Sequence, residues 1–68
     1  MRVNLKRFRV NKFLTQGQIA EMCGVSRGMY SFIELGQRAG SAEFWFNLQK
    51  EFNIPFDELC ELRKIEGC

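Results

Sequence analysis

Histidine is absent from this 68-residue chain, and proline occurs once, at Pro55. Without histidine the commonest general base is gone, and so is a principal ligand of tetrahedral zinc sites. Cys23, Cys60 and Cys68 are odd in number and show no CxxC spacing, so they predict neither a zinc site nor a disulfide framework. Free thiols suit a reducing cytoplasm. The six glycines are scattered rather than gathered into a phosphate-cradling loop, and no nucleophile–base pair is visible. Catalysis therefore lacks its parts, and no metal, cofactor or small-molecule ligand is expected. No apolar run approaches the roughly 18 residues that cross a bilayer. The charged N-terminus also lacks the apolar stretch of a signal peptide. These absences predict a cytoplasmic protein with no membrane partner.

What is present points to a folded domain. The hydrophobic fraction is 46% and the aromatic fraction 13%, which places the chain among globular rather than disordered proteins. Its length predicts a single domain over residues 1–68 with a core of limited size. The net charge of +2 hides a split. Residues 1–40 carry seven basic side chains against Glu21 and Glu34, and residues 41–68 carry three against six acids. The first twenty residues contain no acid. Such a split is consistent with one end facing a polyanion, and equally with a solvated basic helix.

Five helices can be placed, and no strand pattern competes with them. The first spans roughly Val3 to Phe13, with Leu5 and Phe8 at helical spacing. The second opens at Thr15, where Gln18 three residues on completes a capping box and Leu14 and Ile19 form a hydrophobic staple. It ends at Cys23, because Gly24 suits the left-handed closing conformation. Ser26 caps the third helix, which runs to about Leu35 before Gly36. Ser41 caps a fourth reaching Phe52, and Pro55 begins a fifth over roughly Phe56 to Ile65.

The second and third helices are joined by a brief turn containing glycine, which is a helix-turn-helix pattern over about residues 15–35. Ile19, Cys23, Val25, Tyr30 and Ile33 are its inward positions, and Ala20 is small where the helices cross. Gln16, Gly17, Arg27, Gly28, Ser31 and Phe32 point away. "LTQGQIAEMCGVSRGMYSFIELGQR" followed by "NIPFDEL" resembles the Cro/repressor (XRE-type) helix-turn-helix proteins across about Leu5 to Leu62. The resemblance implies an all-α, compact five-helix repressor-like domain whose third helix lies in the DNA major groove.

The same resemblance assigns roles. Gln16, with Gly17 beside it, becomes a phosphate contact at the second helix's N-terminus, where backbone N–H groups suit an anion. Arg9 and Glu34 match a pair that forms a buried salt bridge, so Arg9 is structural. Arg27 takes the leading base-reading position; a guanidinium there either bridges guanine O6 and N7 or bonds only phosphate. Ser26 caps its helix and donates to phosphate, Ser31 reaches phosphate or base, and Arg38 touches the backbone. Lys6, Arg7 and Lys12 are diffuse electrostatic contacts. Several residues depart from the family. Gly28 replaces a polar reader and allows close approach, and Phe32 either packs on thymine methyls or tucks against the first helix or a partner subunit. In "FWF", Phe44 and Phe46 cannot both share the face of Trp45, Leu48 and Phe52. At least one is expected to be exposed, and both are assigned to a dimer or partner interface, since exposed aromatics mark such surfaces; the alternative is partial burial under the loop. Gln49 stands where the family prefers a small apolar residue.

The function these features predict is sequence-specific binding of double-stranded DNA. The chain would act as a homodimeric repressor that occupies an operator, on half-sites about one helical turn apart. The rival is a protein-interaction module, or an antitoxin-like protein, that gives the same fold's groove-facing surface to a partner protein. The poverty of the third helix in polar readers favours that rival.

Overall fold

Three hydroxyl side chains set the helix starts of the central part of the chain. Thr15 Oγ1 accepts from the Gln18 N–H at 3.1 Å while Gln18 Oε1 accepts from the Thr15 N–H at 2.9 Å, completing the capping box. Ser26 Oγ accepts from the Met29 N–H at 3.1 Å, and Ser41 Oγ from the Phe44 N–H at 3.0 Å. Each cap is worth about 1 kcal/mol. Gly24 (φ 75°) and Gly36 (φ 83°) close the two helices between these caps in the left-handed region. In this computed structural model, which describes residues 1–66, the order is α1 (Val3–Asn11), α2 (Gln16–Met22), α3 (Arg27–Leu35), α4 (Ala42–Phe52) and α5 (Phe56–Arg63). The described residues hold no strand, so the fold is all-α. Cys68 lies outside the described residues; Cys23 is buried and Cys60 exposed, both as free thiols.

Two helices stop earlier than their periodicity predicts. α1 ends at Asn11, not Phe13, because Phe13 takes a left-handed backbone (φ 58°) and its N–H donates back to the Val10 carbonyl at 2.9 Å. That turn leaves the Phe13 ring 93% exposed. α5 ends at Arg63, not Ile65. The Arg63 carbonyl accepts from Arg2 Nε at 3.0 Å, and the Glu66 N–H bonds the Met1 carbonyl at 2.8 Å, which draws the following segment out alongside the N-terminus.

The core gathers one face of every helix: Leu5 from α1, Ile19 and Ala20 from α2, Tyr30 and Ile33 from α3, Phe44, Trp45 and Leu48 from α4, Leu59 and Leu62 from α5. Burying a side chain of this size contributes roughly 1.5–3 kcal/mol. α2 packs on α3 as the tightest pair, and α1 lies along α5. The expectation that Phe44 stands at an interface is corrected here. Phe44 is 1% exposed, with its ring centroid 4.9 Å from Trp45 and 6.1 Å from Tyr30. It lies one turn before Leu48, so their shared face turns inward, while Phe46, 100° further round from Trp45, stays 62% exposed. Gln49 closes α4: its Nε2 donates to the Ile54 carbonyl at 3.1 Å, while the Ile54 N–H bonds the Gln49 carbonyl at 3.0 Å.

Candidate nucleic-acid interface

The start of α2 and the outer face of α3 meet in an open cleft lined by Gln16, Arg27, Gly28 and Ser31. The short turn through Gly24 brings them together. Gly17 belongs to the same corner, since a Cβ built there would stand 3.8 Å from Arg27 Cδ. Ser26 caps α3 and immediately precedes Arg27 in the chain. Arg27 is exposed and Ser31 half-buried. A Cβ built on Gly28 meets nothing within 4 Å, so the surface beside Arg27 is open to close approach.

Behind the cleft lies a buried polar network centred on Glu34. Arg9 Nε donates to Glu34 Oε2 at 2.9 Å and Arg9 Nη2 to Oε1 at 3.3 Å, so the pair is bidentate. Tyr30 Oη donates to Oε2 at 2.7 Å, and Gln16 Nε2 to Oε1 at 3.3 Å. Burial alone would push the Glu34 carboxyl up, but these donors outweigh it and hold it below the usual glutamate range. The Tyr30 hydroxyl is pushed up, by burial and then by its bond to Glu34. Arg9 also donates to the Leu14 carbonyl at 2.9 Å, which fixes the chain just before α2. The network therefore sets the angle between α1, the start of α2 and α3, and orients Gln16 at the cleft's edge. Arg9 and Glu34 are bonded to each other as the resemblance implies, and both serve geometry.

A second cleft flanks α3 on its other side, lined by Val25, Met29, Ile33, Phe44 and the loop Arg38–Ser41. No acidic residue lines either cleft. The Arg38 guanidinium lies 5.9 Å from the ring centroid of Phe32, within cation–π range. Phe32 itself remains 44% exposed. Lys6 and Lys12 are exposed on α1 and at its end, and line neither cleft. The Lys12 ammonium instead lies 5.0 and 5.5 Å from the rings of Phe8 and Phe52.

Arg2 is a contributor that no pattern in the sequence signalled. It is 4% exposed and donates to the carbonyls of Ile33, Arg38, Ala39 and Arg63. Two of those carbonyls belong to the loop that carries Arg38, so Arg2 fixes that loop relative to α3. The exposure of Met29 and Leu35 on α3 was likewise not expected. Among the described residues, no group of three His, Cys, Asp or Glu side chains is placed to hold a metal ion. No helix among them is long and apolar enough to cross a membrane.

A family model described as helix-turn-helix matches residues 5–59. Comparisons with curated proteins and with solved structures gave no match.

Proposed function

The chain belongs to the XRE-type helix-turn-helix family, a DNA-binding and not an enzyme family, and on that premise we propose that it regulates transcription by occupying an operator as a homodimer. The observation that carries this reading is the cleft in which Gln16, Arg27, Gly28 and Ser31 converge, with no carboxylate on its walls. Arg27 is assigned to base readout: its fork matches guanine O6 and N7, and such a contact carries roughly 1–3 kcal/mol of discrimination. Gly28 admits the helix close to the base edges, Ser31 adds a hydroxyl, and Phe32 adds an apolar contact. Gln16, Gly17, Ser26 and Arg38 bond the phosphate backbone, with Lys6 and Lys12 as longer-range cations. Phe46 is assigned to the dimer contact. The single domain, over residues 1–68, acts as a repressor by excluding polymerase from the operator.

The test is selection of bound duplexes from a random pool, followed by salt titration. A motif should be enriched at low salt, and affinity of the dimer should fall about 15- to 250-fold between about 50 and 200 mM salt as counterions are released. Arg27→Ala should relax preference at one base pair per half-site and leave non-specific binding nearly intact. A pool with no enriched motif at low salt overturns the regulator reading. The second reading, a partner-protein surface, is favoured by one observation: Met29, Phe32 and Leu35 are 38, 44 and 42% exposed along α3. It would be supported by sequence-blind behaviour together with capture of a defined partner.

A further inference from the structure

The outer face of α3 is chemically divided. Arg27 and Ser31 supply its polar groups, while Met29, Phe32 and Leu35, three residues apart, form an exposed apolar stripe. On a helix surface the neighbours of residue i are i±3 and i±4. For Phe32 those are Gly28, Met29, Leu35 and Gly36, and none carries a hydrogen-bonding side chain. Gly28 leaves open space beside the ring, where a substituent would meet nothing within 4 Å. The Arg38 guanidinium against Phe32 and the acid-free clefts on both sides keep the stripe in a positive setting suited to a polyanion. That setting argues for DNA, rather than an apolar protein surface, as the occupant.

Pyrimidines present one apolar group in the major groove, the C5-methyl of thymine, next to O4. Cytosine presents an N4 amine there and no methyl, unless it is methylated at C5. On its own helix the ring has only glycine and apolar neighbours, and with Arg38 assigned to the phosphate backbone that face senses the methyl and has nothing with which to tell O4 from N4. We infer that Phe32, with Met29 and Leu35 around it, reads the C5-methyl group itself, so that thymine and 5-methylcytosine are equivalent at one position of each half-site. Occupancy of an operator with cytosine at that position then depends on its methylation. This inference rests on the DNA-reading assignment of α3 and names the chemical group that face selects.

The experiment uses the full chain and the motif enriched from a random duplex pool. Each pyrimidine of the motif is varied singly as thymine, deoxyuridine, cytosine or 5-methylcytosine, with its proper partner base. At one position per half-site, loss of the methyl should weaken binding about fourfold for either base, the value of one buried methyl group. 5-Methylcytosine should bind there within about twofold of thymine. Phe32→Ala should bind all four alike at that position while keeping the preference set by Arg27, and unchanged thermal unfolding confirms that it is folded. Phe32→Gln should instead separate thymine from 5-methylcytosine, because an amide can tell O4 from N4. A motif indifferent to deoxyuridine everywhere overturns the inference and leaves the regulator reading intact. So does 5-methylcytosine behaving like cytosine. If Phe32→Ala leaves the methyl dependence unchanged, Phe32 is not its reader and the inference also falls. A pool with no motif overturns the regulator reading instead.

Discussion

A guanidinium buried without a carboxylate must find other acceptors, because an unpaired buried charge is costly. Arg2 finds four carbonyl oxygens, one at the end of α5, one near the end of α3 and two in the loop after it. It also lies 5.3 Å from the Trp45 ring. Burial, and then the neighbouring Arg63 charge, draw its pKa below the usual arginine value, yet an arginine stays charged in this range. Lysine offers three donors on a point charge and cannot reproduce the planar fork. Arg2→Lys should strand at least one carbonyl, costing about 1–3 kcal/mol, and lower the thermal midpoint by several degrees. An unchanged midpoint would mean that the fork holds nothing together. Glu34 gives a pH-dependent counterpart. Its folded-state pKa lies below the unfolded value, so the stabilisation it contributes is complete above the ordinary carboxylate range, near 4.3. It is lost as pH falls through the folded value, because the unfolded chain takes up the proton first. Glu34→Gln should remove about 3 kcal/mol at neutral pH by leaving Arg9 without its partner. The variant should also show a shallower loss of stability below about pH 5. Parallel pH curves for the two proteins would contradict the assignment.

At the level of the helices, Gly28 inside α3 and Gly36 at its end obey different constraints. Gly36 is left-handed (φ 83°), and a Cβ there would come within 3.2 Å of the Met1 nitrogen. Gly28 has an ordinary helical backbone inside α3 and open space beyond it. Gly28→Ala should therefore stabilise the protein by about 0.5–1 kcal/mol, while the added methyl weakens binding to the enriched duplex. Chemical denaturation and a binding titration on the same variant check both halves. Stabilisation without loss of affinity would deny that α3 approaches DNA at this point. The two glycines also show what sequence makes legible. Thr15, Ser26, Ser41, Gly24 and Gly36 act through bonds within a few residues, and those boundaries could be placed from local chemistry alone. The ends of α1 and α5 could not: one depends on a left-handed Phe13, the other on Arg2 sixty-one residues away. Phe44 and Phe46 flank Trp45 in sequence, but Phe44 shares a face with Leu48 one turn on and packs against Tyr30, and it is the one buried. At the candidate site, the helix-turn-helix pattern and the family resemblance together point to Gln16, Arg27, Gly28 and Ser31, and the short turn through Gly24 brings them into one cleft. The stacking of Arg38 on Phe32 was hidden because it depends on a loop that Arg2 holds.

Across the whole molecule, the basic first half and acidic second half are not separated in space. The molecule measures 28 × 26 × 24 Å, and α1, with Lys6 and Arg7, packs along α5, with Asp57, Glu58 and Glu61. At about 0.1 M salt the screening length is about 10 Å, the scale of the distance between packed helices, so acids on α5 should offset part of the α1 charge. Around α3 the offset is smaller, because Glu34 is already paired with Arg9 and no acid lines either adjoining cleft. The positive field available to DNA is thus concentrated at Arg27 and Arg38 rather than spread over the acid-free first twenty residues. Counterion release turns this into a number. If Lys6, Lys12 and Arg38 each neutralised one phosphate, the slope of log affinity against log salt would be about −3 per protomer. Shielding of α1 by α5, and the seat of Lys12 over Phe8 and Phe52, should bring the measured slope nearer −1 to −2. Arg38→Gln should then remove about one unit of slope per protomer without changing the enriched motif. Lys6→Gln should change the slope by less. The opposite order, with Lys6 dominant and Arg38 silent, would place the DNA-facing charge on α1 and confine the Arg38 guanidinium to the ring of Phe32.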